Sequence, residues 1–144
     1  CVSTGDCLPT DVVVPNQGST GAQTQPAVGW QDWPAQKGWV VAWTEPGAEG
    51  LDILLRKILA SSGTPFLGAQ VVASGAGDQY DPCIATSRGP GMTTGYSFVG
   101  YVDAGGADGD GEGVFLKLFT LFSAAPDGLV QVGGRGGRVI DPQT

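Results

Sequence analysis

Four carboxylates, Asp103, Asp108, Asp110 and Glu112, fall within the stretch DAGGADGDGEG, Asp103 to Gly113. Alternating acids in a flexible loop can supply several of the oxygens that a calcium ion takes. The spacing does not fit the familiar calcium loops. Counted from Asp108 as an EF-hand, the twelfth position is Phe119, where a bidentate Glu is required. Counted as a Gly-Gly-x-Gly-x-Asp nonapeptide, GGADGD puts Asp108 where the fourth-position glycine belongs, and the stretch occurs once rather than in tandem. A hairpin turn accounts for the glycines, because Gly and Asp tolerate positive φ. The expectation is a tight turn whose four acids are the candidate ligands of a structural calcium ion that the fold does not require.

Four tryptophans crowd into Trp30 to Trp43. Exposed tryptophans form stacking platforms for sugars and rims of interfaces. Trp30 and Trp33, in GWQDWPAQ at a strand end and loop, are the candidates for a glycan or a neighbouring subunit. Trp39 and Trp43 sit on an alternating strand and are expected in the core.

Catalytic chemistry has little to work with. The chain contains no histidine, which removes the commonest general base, the Ser–His and Cys–His pairs, and most zinc and copper sites. Paired acids across a cleft could hydrolyse glycosides, but Glu45, Glu49 and Glu112 fall in predicted turns, and Asp81 and Asp141 precede prolines in a pattern that suggests turns. GGRGGR, Gly133 to Arg138, lacks the Lys-Ser/Thr ending of a phosphate loop. An enzyme is not expected. With net charge −7 and scattered cations, nucleic acid is a poor partner. No apolar run approaches the roughly 20 residues that span a bilayer, so no transmembrane segment is expected.

The chain starts at Cys1 and carries two further cysteines, Cys7 and Cys83. A signal peptide cleaved before Cys1 would place it outside the cytoplasm, where disulfides persist. An odd count leaves at least one thiol free, lipid-modified or paired to another chain. Cys7–Cys83 with a modified Cys1, Cys1–Cys83, and a buried Cys83 acting as a small hydrophobe all remain open.

The elements that would hold these residues are legible from internal repetition. QTQPAVGW (Gln23 to Trp30) recurs as QYDPCIAT (Gln79 to Thr86). KGWVVAWTE matches TGYSFVGYVD with one inserted residue, and DILLRKILASSGTP matches GVFLKLFTLFSAAPDG, with Arg56 on Lys117 and Ile53 on Val114. A third start, VQVGGRGGRVIDPQT, echoes VVASGAGDQYDPCIA. The unit is about 60 residues, present in two copies and a fraction. LDILLRKIL alone would pass for an amphipathic helix, but its counterpart VFLKLFTLF favours pleated sheet. Both are expected to be strands.

Strands are expected near Asp11–Val14, Pro26–Trp30, Trp39–Thr44, Asp52–Leu59, Gln70–Ala73, Cys83–Ser87, Tyr96–Asp103, Val114–Phe122, Leu129–Val132 and Arg138–Ile140. The first four are expected to form one unit and Gln70–Ala73 to open the next. By sequence similarity the chain divides into an extension at 1–20, repeat units at 21–76 and 77–128, and the start of a third at 129–144. The fold class is all-β: a β-sandwich or blade-like antiparallel sheets of about four strands per repeat. A propeller needs at least about four blades, which two and a fraction cannot supply.

Each copy runs Gln-x-x-Pro-x-(Val/Ile)-(Gly/Ala), then Gly-(Trp/Tyr) opening an apolar strand, an acidic glycine-rich turn and a second apolar strand. This order, over roughly residues 11 to 144, resembles the repeats of about 50 residues in large secreted bacterial surface and adhesin-like proteins. WQDWPAQKGW and SRGPGMTTGY depart from it at the strand connection. The resemblance implies extracellular display, adhesion or scaffolding, and brings no catalytic residue. The architecture is also similar to that of secreted bacterial fibre subunits.

Open sheet edges aggregate unless covered, and strand addition from another copy would cover them. The expected role is therefore a non-enzymatic extracellular structural protomer that assembles with copies of itself into a fibre or surface layer. Asp11, Val12, Val13 and Val14 are the candidate donor strand, with Val130 and Val132 in an inter-subunit strand. The alternative is a carbohydrate- or calcium-dependent adhesion module excised from a larger repeat protein.

Overall fold

The computed structural model describes residues 21–32, 37–88, 95–106, 111–120 and 128–133, and within them every stretch expected to be extended is a strand. The strands are β1 (Thr24–Gln31), β2 (Gly38–Pro46), β3 (Leu51–Leu59), β4 (Gln70–Ala73), β5 (Gln79–Arg88), β6 (Gly95–Asp103), β7 (Gly113–Thr120) and β8 (Gly128–Gly133). They form two four-stranded antiparallel meanders, β1-β2-β3-β4 (sheet 1) and β5-β6-β7-β8 (sheet 2), packed on each other as a sandwich. The protein is all-β. Among the described residues no helix is long and apolar enough to cross a membrane. The expected strands Asp11–Val14 and Arg138–Ile140 lie outside the described residues.

Local chemistry explains the hairpins. β2 and β3 pair without interruption from Gly38 opposite Leu59 to Pro46 opposite Leu51, and Pro46–Gly47 opens the turn between them, closed by Gly47 N–H to Gly50 O at 2.7 Å. LDILLRKIL is thus a strand. Gln70–Ala73 closes sheet 1 on β3 rather than opening the second unit. The chain turns back after Leu59 through Ser61–Pro65, with Leu59 N–H to Thr64 O at 2.9 Å, so β4 meets the free edge of β3 first.

The two sheets repeat one another in register as well as in sequence. Ala42 pairs with Ala27 and Leu55, and Gly100 pairs with Cys83 and Leu116. Arg56 therefore corresponds to Lys117 and Ile53 to Val114, as the sequence alignment has them. Gln23 Nε2 donates to Gly21 O at 2.6 Å, and Gln79 Nε2 donates to Gly77 O at 3.2 Å. A bulge interrupts β1 between Thr24 and Ala27 and β5 between Tyr80 and Cys83. Each bulge holds a non-glycine residue in the left-handed region, Gln25 at φ 50° and Asp81 at φ 51°. Asp81, expected in a turn, is instead part of this strand distortion, because the following Pro82 has no N–H to give the ladder.

Alternation assigns the faces. Val40, Ala42, Ile53 and Leu55 of sheet 1 meet Val99, Tyr101, Phe115 and Phe119 of sheet 2 in the core, with Val72 and Ala73 beside them. Burial at this density is the main stabilising term of the fold. Lys117 Nζ donates to the Val72 carbonyl across the sheets. Burial pulls the Lys117 ammonium below the ordinary lysine range, and the charge of Asp103 opposes that shift.

Candidate functional site

Asp108 and Asp110 lie outside the described residues. Asp103 Oδ1 accepts the Gly105 N–H at 2.7 Å, a side chain bracing its own turn. Glu112 Oε1 accepts the Tyr80 hydroxyl at 2.6 Å, which holds the phenol above its usual range. Gly105 is glycine for a reason of space, since a Cβ there would stand 1.9 Å from the Ala76 carbonyl oxygen. The β4–β5 connection presses directly on this turn, and Ala104 N–H bonds Asp78 O at 2.9 Å. Among the described residues no three Cys, Asp or Glu are grouped as metal ligands.

The tryptophans divide differently from expectation. Trp43 is buried and its indole N–H donates to Glu45 Oε2 at 2.8 Å, from a Glu45 that lies in β2 rather than a turn. Trp39, expected in the core, is 47% exposed. The core lies on the Val40–Ala42 side of β2, so the opposite face carries Trp39 outward. There it meets Trp30 edge to face, ring centroids 4.8 Å apart. Trp33 lies outside the described residues. Lys37 and Asp32 form an ion pair at 2.8 Å with both side chains exposed, a contact worth little in water.

Of the assembly candidates, Asp11, Val12, Val13 and Val14 are outside the described residues, as are Cys1 and Cys7. Val130 and Val132 lie in β8, which pairs with β7 of the same chain. Cys83 is an exposed thiol rather than a buried hydrophobe.

What the sequence did not suggest is the seam between the sheets. Gln25 Nε2 donates to Asp81 Oδ1 at 2.6 Å, while Gln25 Oε1 accepts the Thr44 hydroxyl at 2.9 Å and the Asp81 N–H at 3.3 Å. Thr86 Oγ1 donates to Trp30 O at 2.6 Å. Both of these hydrogen-bonded pairs, Gln25–Asp81 and Trp30–Thr86, join one residue to the residue 56 positions later. The alignment of Gln23 on Gln79 already implied that spacing, but not that equivalent residues touch. Strained bulges survive only where neighbours fix them, and Gln25 and Asp81 fix each other.

Contact between equivalent residues means that the two sheets use different faces. Sheet 1 presents Ala27, Gly29, Val40 and Ala42; sheet 2 answers with Ile84, Thr86, Val99 and Tyr101, the counterparts of Val28, Trp30, Val41 and Trp43. Both outer faces are apolar. On sheet 1 Val28 is 63% exposed near Trp30 and Trp39, and Val71 is exposed on the far strand; Trp43 and Ile58 on the same face are buried, and Arg56 shares it. On sheet 2 Val114, Ala85 and Cys83 are exposed, flanked by half-buried Phe98, Leu116 and Leu118. LDILLRKIL and GVFLKLFT lack alternation because both of their faces are apolar, the pattern of strands covered on both sides.

A hollow between Gln31, Trp39, Lys57 and Phe66 has a volume of only about 10 Å³, room for no more than about one water. No family model matches the chain, and neither the curated proteins nor the solved structures yield a match.

Proposed function

We propose that this chain is a non-enzymatic, extracellular structural protomer that assembles with copies of itself. One observation carries the reading: both outer faces of the sandwich are apolar, with Val28, Trp30, Trp39 and Val71 exposed on one and Val114 on the other. Apolar area of this kind rimmed by polar residues marks interaction surfaces. An antiparallel sheet whose outer face meets water normally alternates apolar-in with polar-out, and β3 and β7 do not. The extracellular setting is supported by the resemblance to secreted surface repeats, and strand addition at the free edges, with Asp11–Val14 as donor, is the mode that the sequence suggests. Negative-stain electron microscopy and light scattering, with calcium and then with excess EDTA, test the reading. Regular assemblies that survive EDTA are expected; a monomer at all concentrations overturns it.

A second reading, a glycan-binding adhesion module, has one observation in its favour, the exposed Trp30–Trp39 pair at 4.8 Å. Sugars stack on such aromatic surfaces. That reading expects a monomer whose glycan binding is lost in Trp39→Ala.

A further inference from the structure

We propose that a second copy of this chain docks head to tail, the outer face of sheet 1 in one copy covering the outer face of sheet 2 in the other. This rests on the reading that the chain assembles with itself, and it specifies which surfaces meet and in what register. The contact would repeat the one already present between the two sheets of a single chain.

Within the chain, the Ala27–Gly29–Val40–Ala42 face of sheet 1 packs on the Ile84–Thr86–Val99–Tyr101 face of sheet 2. The outer face of sheet 2 carries the counterparts of the first set, Cys83, Ala85, Phe98 and Gly100. The outer face of sheet 1 carries the counterparts of the second, Val28, Trp30, Val41 and Trp43. Each outer face thus carries the counterparts of one half of an interface the molecule already makes, with Val28, Trp30 and Trp39 exposed on sheet 1 and Trp43 already buried within the chain. Contacts of this heterologous kind propagate, as rings or open filaments according to the rotation per step.

The residues at matched places are compatible. Gly29 lies under Ile84, so close that a Cβ would stand 2.6 Å from Ile84 Cγ2. In the second contact Ala85 takes the glycine's place and Val28 the isoleucine's. The carbon gained on one side is offset by the carbon lost on the other, the kind of swap that packed interfaces tolerate. Leu118 stands where the inner face of sheet 1 has buried Lys57, and Val102 where it has Thr44, so the exposed version of this face is the more apolar one.

The test uses two variants of the full chain, Val28→Arg to block the outer face of sheet 1 and Val114→Arg to block that of sheet 2. Both positions are exposed, and far-UV circular dichroism checks the fold; Trp39→Arg replaces Val28→Arg if the latter does not fold. Each variant alone should sediment as a monomer. An equimolar mixture should give a species of twice the mass and nothing larger, because each chain keeps the face that the other needs. In that mixture, Cys83 of the Val28→Arg chain (with Cys1→Ser and Cys7→Ser) should become slower to react with a bulky maleimide. A mixture that stays monomeric, or a single variant that still dimerises or polymerises, overturns the inference. If assembly survives both substitutions and is lost only on removing residues 1–20, self-assembly stands and face docking fails. If the unmodified chain is monomeric, both fall together.

Discussion

Sheet 1 and sheet 2 share order, register, bulge and clamping glutamine, yet equivalent residues meet opposite conditions. Leu55 is fully buried between the sheets, and its counterpart Leu116 is half-buried on an outer face. Gly29 has Ile84 against it, and its counterpart Ala85 is exposed. Trp43 is buried on the outer side of β2, and its counterpart Tyr101 lies in the core stacked on Phe115 at 5.7 Å. Identity of fold therefore does not give identity of environment. A face joins the common core only when the other sheet lies opposite it.

The largest effect should separate the leucines. Leu55→Ala is expected to cost about 2–5 kcal/mol of unfolding free energy, the range for a buried leucine. Leu116→Ala should cost clearly less in the monomer, and more at concentrations where copies associate. Urea melts at low and high protein concentration measure both. Equal losses at low concentration would mean that Leu116 is already covered within the chain.

Tyr101 offers a comparison by pH. Burial, with Asp103 adding to it, pushes its phenol up to about 12, against about 10 for the unfolded chain. Between those values the unfolded chain has released its proton and the folded one has not. Stability contributed by this group is therefore intact below pH 10 and falls as pH rises, by about 2 kcal/mol at pH 12. Tyr101→Phe should abolish that part of the alkaline slope. Thermal melts from pH 9 to 12 give the comparison, and parallel slopes for the two proteins would show that Tyr101 does not carry it.

The smallest difference concerns the strand residues at the seam. Gly29→Ala should destabilise by about 1–3 kcal/mol, because Ile84 must move to admit the methyl. Ala85→Gly should cost no more than about 1 kcal/mol, the ordinary penalty of glycine within a strand. Coupling Gly29→Ala with Ile84→Val should recover part of the loss. A Gly29→Ala protein as stable as the parent would mean that the two sheets sit farther apart than the 2.6 Å approach implies.

Much of the fold was legible beforehand, and for definite reasons. The alternation of WVVAWT, the Pro-Gly turn after it and the match of LDILLRKIL to GVFLKLFTLF located the strands, because strand formation follows from neighbours close in sequence. The Gln-x-x-Pro match located the bulges without disclosing them. Nothing in QTQP or QYDP says that Gln25 and Asp81 adopt positive φ, since that conformation is held by hydrogen bonds to a residue 56 places away. Trp39 was misplaced for a related reason. Alternation correctly put it on one face with Trp43, but chose that face as core on the strength of its aromatics.

Periodicity and turn chemistry within short reach were enough to place the strands and the repeat, but not to assign Gln70–Ala73 to the edge of β3. Which faces are covered depends on how the two sheets pack. Both sides of β2, β3, β6 and β7 carry apolar residues, so local pattern offers no preference. The choice is made by the bulged strands β1 and β5, which bring equivalent residues together and so turn opposite faces of the two sheets toward each other.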